Sequence, residues 1–235
     1  MKIEHLQWDS IFFGIKTGRI IFNQSEDDLL ELLPEARSQN YKLLYVFSDE
    51  YIELSDNILS KWNGYLVDRK IVYQKEVCCY NVLNKKIVSP YTSSEISKDL
   101  LDLAYISGSH SRFRLDKKFP TGSFERMYKE WLLKSLNGEL ADMVYVASEN
   151  NKILGFVSLK CKDNIGEIGL IAVNNEVQGK GLGTKLINAC EKYLTEKSIY
   201  TLFVATQLNN KQACRFYEKY SFKKHKATNI YHFWI

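Results

Sequence analysis

Apolar residues recur along this chain at two spacings, and each spacing predicts an element. Leu29, Leu30, Leu32 and Leu33 give the stretch from Asp27 to Arg37 a broad apolar face at helical period. Tyr41 to Ser48 and Ile71 to Cys79 are dense in β-branched and aromatic residues and read as strands, with a helix from Ile52 to Trp62 between them. A break at Val88-Ser89-Pro90, followed by polar Thr92-Ser93-Ser94, divides the chain into residues 1–90 and 91–235. The second part opens with a helix from Ile96 to Ser107 and a polar, aromatic loop through Arg112 and Phe119. A second helix follows from Ser123 to Leu136, ended by Asn137-Gly138. Met143 to Ser148 and Ile153 to Lys160 read as strands joined at Asn150-Asn151, a hairpin signal. A turn through Asp163-Asn164-Ile165-Gly166 then leads into a strand from Glu167 to Val173, so an antiparallel sheet is expected there. No internal repeat or low-complexity segment interrupts the pattern.

That last strand runs into Gln178-Gly179-Lys180-Gly181-Leu182-Gly183, and an amphipathic helix from Thr184 to Leu194 follows. Leu186, Ile187, Cys190, Tyr193 and Leu194 recur on one face of it. Glycines let the backbone turn tightly and approach a ligand. The N–H groups at the start of the helix have no partner within it, and its dipole favours an anion. The unit reads as a diphosphate cradle. It is neither a nucleoside-triphosphate loop, which needs Lys-Ser or Lys-Thr after the last glycine, nor a G-x-G-x-x-G dinucleotide loop. Taken alone, it is matched by the plainer reading of a glycine turn before an ordinary helix.

A second segment separates the two readings. Tyr200 to Thr206 reads as a strand, and Asn209-Asn210-Lys211-Gln212-Ala213-Cys214-Arg215-Phe216-Tyr217-Glu218-Lys219-Tyr220-Ser221-Phe222 comes after it. Together with Gln-x-x-Gly-x-Gly, this segment resembles the GCN5-related N-acetyltransferases over about Ala141 to Phe222. The resemblance implies an α/β (α+β) fold with a mixed, mostly antiparallel sheet flanked by helices, here with a small N-terminal α/β region. Ser221 stands where that family usually has glycine, at a position expected to need a positive φ and so to carry some strain. Leu6-Gln7-Trp8-Asp9-Ser10-Ile11-Phe12-Phe13-Gly14, Ser111-Arg112-Phe113-Arg114-Leu115-Asp116 with Phe119-Pro120, and the ending Tyr231-His232-Phe233-Trp234 narrow the likeness. They resemble the dTDP-fucosamine acetyltransferases, which acetylate a dTDP-linked 4-amino-4,6-dideoxyhexose for surface polysaccharide assembly.

The resemblance implies acetyl-CoA as co-substrate, no metal, and direct attack of an amine on the thioester. The cofactor diphosphate is expected on the N–H groups of Gly179 to Thr184, with Gln178, Lys180, Gly181, Leu182 and Gly183 around it. The pantetheine arm is expected beside Leu170, Ile171, Ala172 and Val173, with an N–H near Ile171 or Ala172 holding the thioester carbonyl. Tyr217 matches the family's general acid. In model terms a tyrosine protonates a thiolate uphill by roughly 2 kcal/mol. Either the site lowers the Tyr217 pKa or the transfer accompanies C–S cleavage. Asn210 is expected to bind the pantetheine, with Asn209 as the helix cap. The base is left open among Glu167 acting through water, His110, His232 and a water chain. For the acceptor, Arg112 and Arg114 are expected to pair with a nucleotide diphosphate, and Trp8, Phe12, Phe13 and Phe113 to stack on a base or line a sugar pocket, each with core packing as its rival.

Composition limits these readings. In 235 residues, 45% are hydrophobic, enough for a sizeable core, and the formal net charge is +4. That mild balance suits an anionic small ligand and is too dispersed for nucleic acid. The five cysteines, Cys78, Cys79, Cys161, Cys190 and Cys214, lack the paired spacing of a zinc site or disulfide framework. Cys78 and Cys79 read as buried thiols in a strand. The first residues lack the basic start and apolar core of a secretory segment, and no stretch has the ~20 apolar residues of a membrane span. A cytoplasmic protein is expected, and a homodimer is implied by the resemblance alone. Two rivals stay open: an acetyltransferase for another amine, and a non-catalytic acyl-CoA-binding module.

Overall fold

The computed structural model describes residues 1–23, 25–77 and 87–235. Cys78 and Cys79 lie outside them. The chain begins with β1 (Glu4–His5), α1 (Gln7–Phe13), β2 (Thr17–Phe22), α2 (Glu26–Ser38), β3 (Leu43–Asp49), α3 (Asp56–Lys61) and β4 (Gly64–Glu76). Next come β5 (Val88–Pro90), α4 (Lys98–Ser107), α5 (Arg112–Leu115), α6 (Ser123–Leu136), β6 (Met143–Glu149), β7 (Lys152–Lys162) and β8 (Ile165–Val173). A 3-10 turn (Asn175–Val177), α7 (Leu182–Glu196), β9 (Thr201–Gln207), α8 (Lys211–Lys219) and β10 (Lys223–Trp234) complete it.

The described strands form one sheet in the order β1-β2-β3-β10-β4-β9-β8-β7-β6-β5. It is mostly antiparallel, with parallel pairs at β2–β3 and β8–β9. The sheet runs through the proposed break near residue 90, because β10 from the end of the chain sits between β3 and β4. Helices cover both faces. Val157 and Leu159 of β7 pack with Leu186 and Ile187 of α7, whereas Phe156 packs with Leu100 of α4 and Met127 of α6. A third cluster joins Leu29 and Leu33 of α2 to Leu44 and Val46 of β3.

Several predicted elements match closely. α6 has its expected span, and both hairpin turns hold residues at positive φ, Asn150 at 50° and Asn151 at 62°, Asp163 at 51° and Asn164 at 59°. Ser221 has the expected left-handed backbone, with φ 64°. Other expectations need correction. The helix predicted from Ile52 to Trp62 is confined to α3, and β4 starts at Gly64, well before Ile71. β10 was not anticipated. Its first four residues, Lys223, Lys224, His225 and Lys226, are all exposed and hide the alternation that follows. The cap of α8 is Asn210, whose Oδ1 accepts from the Ala213 N–H at 3.1 Å, rather than Asn209.

One irregularity positions the site. β8 and β9 pair only from Gly166 to Ile168 against Leu202 to Val204, and then part. Alongside, the register of β7 with β8 shifts between Val157 and Leu159. The buried Ser158 hydroxyl accepts from the Leu170 N–H at 2.8 Å, which satisfies an amide released by the shift. Beyond Ile168, β8 therefore has β7 on one side and an open edge on the other.

Candidate active site

The open edge of β8 faces a cavity of about 500 Å³. Ile171, Ala172 and Val173 form one wall, the glycine loop and the start of α7 a second, and Asn210, Ala213, Phe216 and Tyr217 of α8 a third. Gly179 and Gly181 have φ of 79° and 77°, a conformation that side-chain-bearing residues rarely adopt. Gly183 allows α7 to approach α8, since a Cβ there would stand 3.0 Å from the Phe216 ring. Gln178 braces the loop: its Nε2 donates to the Val173 carbonyl at 3.2 Å, and its Oε1 accepts from Gln212 at 2.6 Å.

The residues present fit a coenzyme A diphosphate. Thr184 lines the cavity at the start of α7, and its hydroxyl is buried without a hydrogen-bond partner among the described residues. An orphaned hydroxyl beside free helix N–H groups is complementary to phosphate oxygens. Of the positions expected to hold the cofactor, Leu170 is buried in the α4–α6 core and Lys180 is exposed outside the cavity lining. The other expected positions line it. The sequence reading missed Asn175 and Val177 in the 3-10 turn, and Ile106, Ser107 and Ser109 at and after the end of α4, which close the cavity beside His110, one of the candidate bases.

Tyr217 is 4% exposed, its ring set among Tyr73, Phe216 and Phe222. Burial, and then Cys214, push its phenol above the ordinary tyrosine range. The free protein therefore holds that proton more firmly, which disfavours the first of the two alternatives, a lowered Tyr217 pKa, and leaves the second, transfer with C–S cleavage.

The acceptor candidates divide. Arg112 lies half-buried over the rings of Phe113 at 4.3 Å and Tyr45 at 5.0 Å. Its Nε is buried without a partner, and no carboxylate among the described residues forms an ion pair with it. Close enough to feel its charge are Asp9 and Asp68, both pushed up by burial, Asp68 to about 6, and Lys70, pushed down by burial. Arg114 turns away to an exposed ion pair with Glu125 at 2.8 Å. Phe13 and Phe113 are buried against each other and Phe119. Trp8 stacks on Phe12 at 4.8 Å, with Lys134 over Trp8 and Arg126 over Phe12. Glu167 is exposed and outside the cavity lining.

His232 is fully buried, and its Nδ1 lies 2.6 Å from Asp116. Asp116 also accepts from Tyr65 at 2.8 Å, Trp234 Nε1 at 3.0 Å and the Lys118 N–H at 3.0 Å. The Tyr-His-Phe-Trp ending thus anchors the segment that carries Arg112. Among the described residues, no helix is long and apolar enough to cross a membrane.

Residues 109–222 match the family model of the acetyltransferase (GNAT) family. The spore coat polysaccharide biosynthesis protein SpsD of Bacillus subtilis is 29% identical over 136 residues, 57% of this chain. The chain spans only 46% of that protein's length. The dTDP-fucosamine acetyltransferase of Escherichia coli is 27% identical over 222 residues, 92% of this chain and 91% of that protein. A crystal structure of a GCN5-related N-acetyltransferase from Sphaerobacter thermophilus superposes with a TM-score of 0.56 at 12% identity. The match covers 92% of this chain and 72% of that one, and it shows a shared fold.

Proposed function

From the GNAT-family acetyltransferase domain that this chain carries, we propose that it moves acetyl from acetyl-CoA to the amine of an anionic, nucleotide-linked aminosugar, with a dTDP-linked 4-amino-4,6-dideoxyhexose as the best candidate. The observation that carries the reading is the one-sided edge of β8, opening into a cavity that Thr184 and Tyr217 both line. A pantetheine arm has the hydrogen-bonding pattern of a strand and fits such an edge. A backbone N–H near Ile171 or Ala172 then points at the thioester oxygen, where negative charge develops.

Tyr217 supplies the thiolate with its proton. Its raised pKa rules against early transfer, so the proton moves as the C–S bond breaks and sulfur gains charge. Arg112 favours an anionic acceptor: its guanidinium lies over two rings with its buried Nε unpaired and no ion pair among the described residues, a desolvated donor that a phosphate would satisfy. Residues 1–90 support the acceptor side, since Tyr45, Asp68 and Lys70 surround Arg112 from β3 and β4. The polysaccharide-related names of two relatives point the same way.

Tyr217→Phe tests the assignment. Turnover with such an acceptor is expected to fall roughly a hundredfold, with acetyl-CoA affinity unchanged by calorimetry. Wild-type turnover in the variant would remove Tyr217 as the acid.

A further inference from the structure

The reaction above leaves the acceptor's proton without a destination, and the fourth wall of the donor cavity offers one. α4 ends at Ser107, and the segment after it crosses α6 against the ring of Tyr128. Gly108 is what permits this: a Cβ there would stand 2.1 Å from that ring, so a larger residue would lift the segment off α6. Held in this way, Ser109 and His110 line the same cavity as Ile171, Ala172 and Tyr217. The Ser109 hydroxyl lies 3.1 Å from His110 Nδ1, and Nε2 has no partner among the described residues. The other titratable groups facing the cavity are Tyr217 and Lys219 of α8 and Tyr220, the residue that caps its C-terminus. Two residues further on is Arg112, which forms no ion pair among the described residues and has Asp9 and Asp68 only as longer-range charges.

We propose that His110 is a catalytic residue, the base that takes the proton from the acceptor's ammonium. The proposal rests on the acetyl-transfer reading of the cavity. In the tautomer with Nδ1–H donating to the Ser109 hydroxyl, Nε2 carries the lone pair of a residue that lines the cavity. Nε2 takes one ammonium proton. The freed nitrogen lone pair bonds to the thioester carbonyl carbon, and the C–S bond breaks with its electron pair passing to sulfur. The Tyr217 phenol gives its proton to that thiolate. The surplus proton on the new amide nitrogen returns through water to the Tyr217 phenolate, and His110 releases its proton to solvent. The segment from Gly108 to Arg112 thus supplies both the base and the hold on the acceptor's anion, which selects substrates carrying amine and anion together.

The test compares wild type, His110→Gln and His110→Ala, using acetyl-CoA and a dTDP-linked 4-amino-4,6-dideoxyhexose. His110→Gln is expected to lower kcat roughly a hundredfold, to leave KM for the acceptor and Kd for acetyl-CoA within about twofold, and to abolish the acidic limb of the kcat/KM profile. Imidazole in the buffer is expected to restore part of the rate to His110→Ala, a rescue that a merely structural role would not give. Unchanged kcat and acidic limb in His110→Gln would overturn the proposal while leaving acetyl transfer intact. So would a weakened Kd for acetyl-CoA at unchanged kcat, which would make His110 a donor contact only. A wild-type protein that binds acetyl-CoA and acetylates no amine would bring down the acetyl-transfer reading itself, and this proposal with it.

Discussion

At the scale of single residues, the structure separates positions that backbone geometry dictates from those that only a site explains. Ser221 belongs to the first kind, being held at φ 64° where glycine would be unstrained. Ser221→Gly is expected to raise stability by about 1 kcal/mol, read as a higher thermal midpoint. Asp68 belongs to the second kind. It is 7% exposed, and burial raises its carboxyl to about 6. Because the folded state binds that proton more tightly than the unfolded state, Asp68 costs stability as pH rises from about 4 through 6. Asp68→Asn should therefore stabilise the protein on the order of 1–3 kcal/mol near neutral pH, and not below about pH 4. Differential scanning calorimetry across that range checks both the sign and the window. Gly179, Gly181 and Tyr217 were legible as cavity-lining positions, since motif spacing singled each of them out, whereas Arg112 stands out by its chemistry and lies outside that lining. The places of Arg114, Phe13 and Phe113 were not legible, because only the fold shows that one has a local carboxylate and the others face the core.

At the scale of elements, the α4–α6 segment and β10 form one device. Asp116 gathers hydrogen bonds from His232 and Trp234 of β10 and from Tyr65 of β4, so two neighbouring strands of the sheet hold the segment that bears Arg112. Burial pushes the His232 imidazole well below its ordinary range, which Asp116 only partly offsets. Burial alone would raise Asp116, but its hydrogen bonds, that with His232 first, hold it below the usual carboxylate range. In acid below about pH 6.5 the unfolded chain binds a proton that folded His232 refuses, so stability falls as pH falls. This contribution lowers the thermal midpoint between about pH 6.5 and pH 4, against the opposite trend of Asp68, and is isolated by comparing wild type with His232→Gln. His232→Gln should start from a lower midpoint and show a shallower drop, and an unchanged slope would contradict the account. α6 was legible because its apolar period and its Asn137-Gly138 ending agree. β10 was hidden because its basic start reads as surface, and its pairing with β3 and β4 depends on residues far away in sequence.

At the scale of the whole molecule, one sheet joins the donor cavity to the surroundings of Arg112, the proposed acceptor side. Lys75 of β4 reaches the buried Glu191 of α7 at 2.5 Å, tying the N-terminal part of the sheet to the helix that begins at the glycine loop. The split between β8 and β9 opens a donor cavity on α7 and α8, while Arg112 stands near Tyr45, Asp68 and Lys70 and forms no ion pair among the described residues. Under the proposed function, the donor is shaped like an extended arm with a diphosphate, and the acceptor carries an anion beside its amine. The most direct measurement is thiol release from acetyl-CoA with a dTDP-linked 4-amino-4,6-dideoxyhexose, run beside spermidine and a peptide amine. The account predicts turnover with the sugar nucleotide and little with the cationic controls, whereas turnover confined to spermidine or the peptide would contradict it.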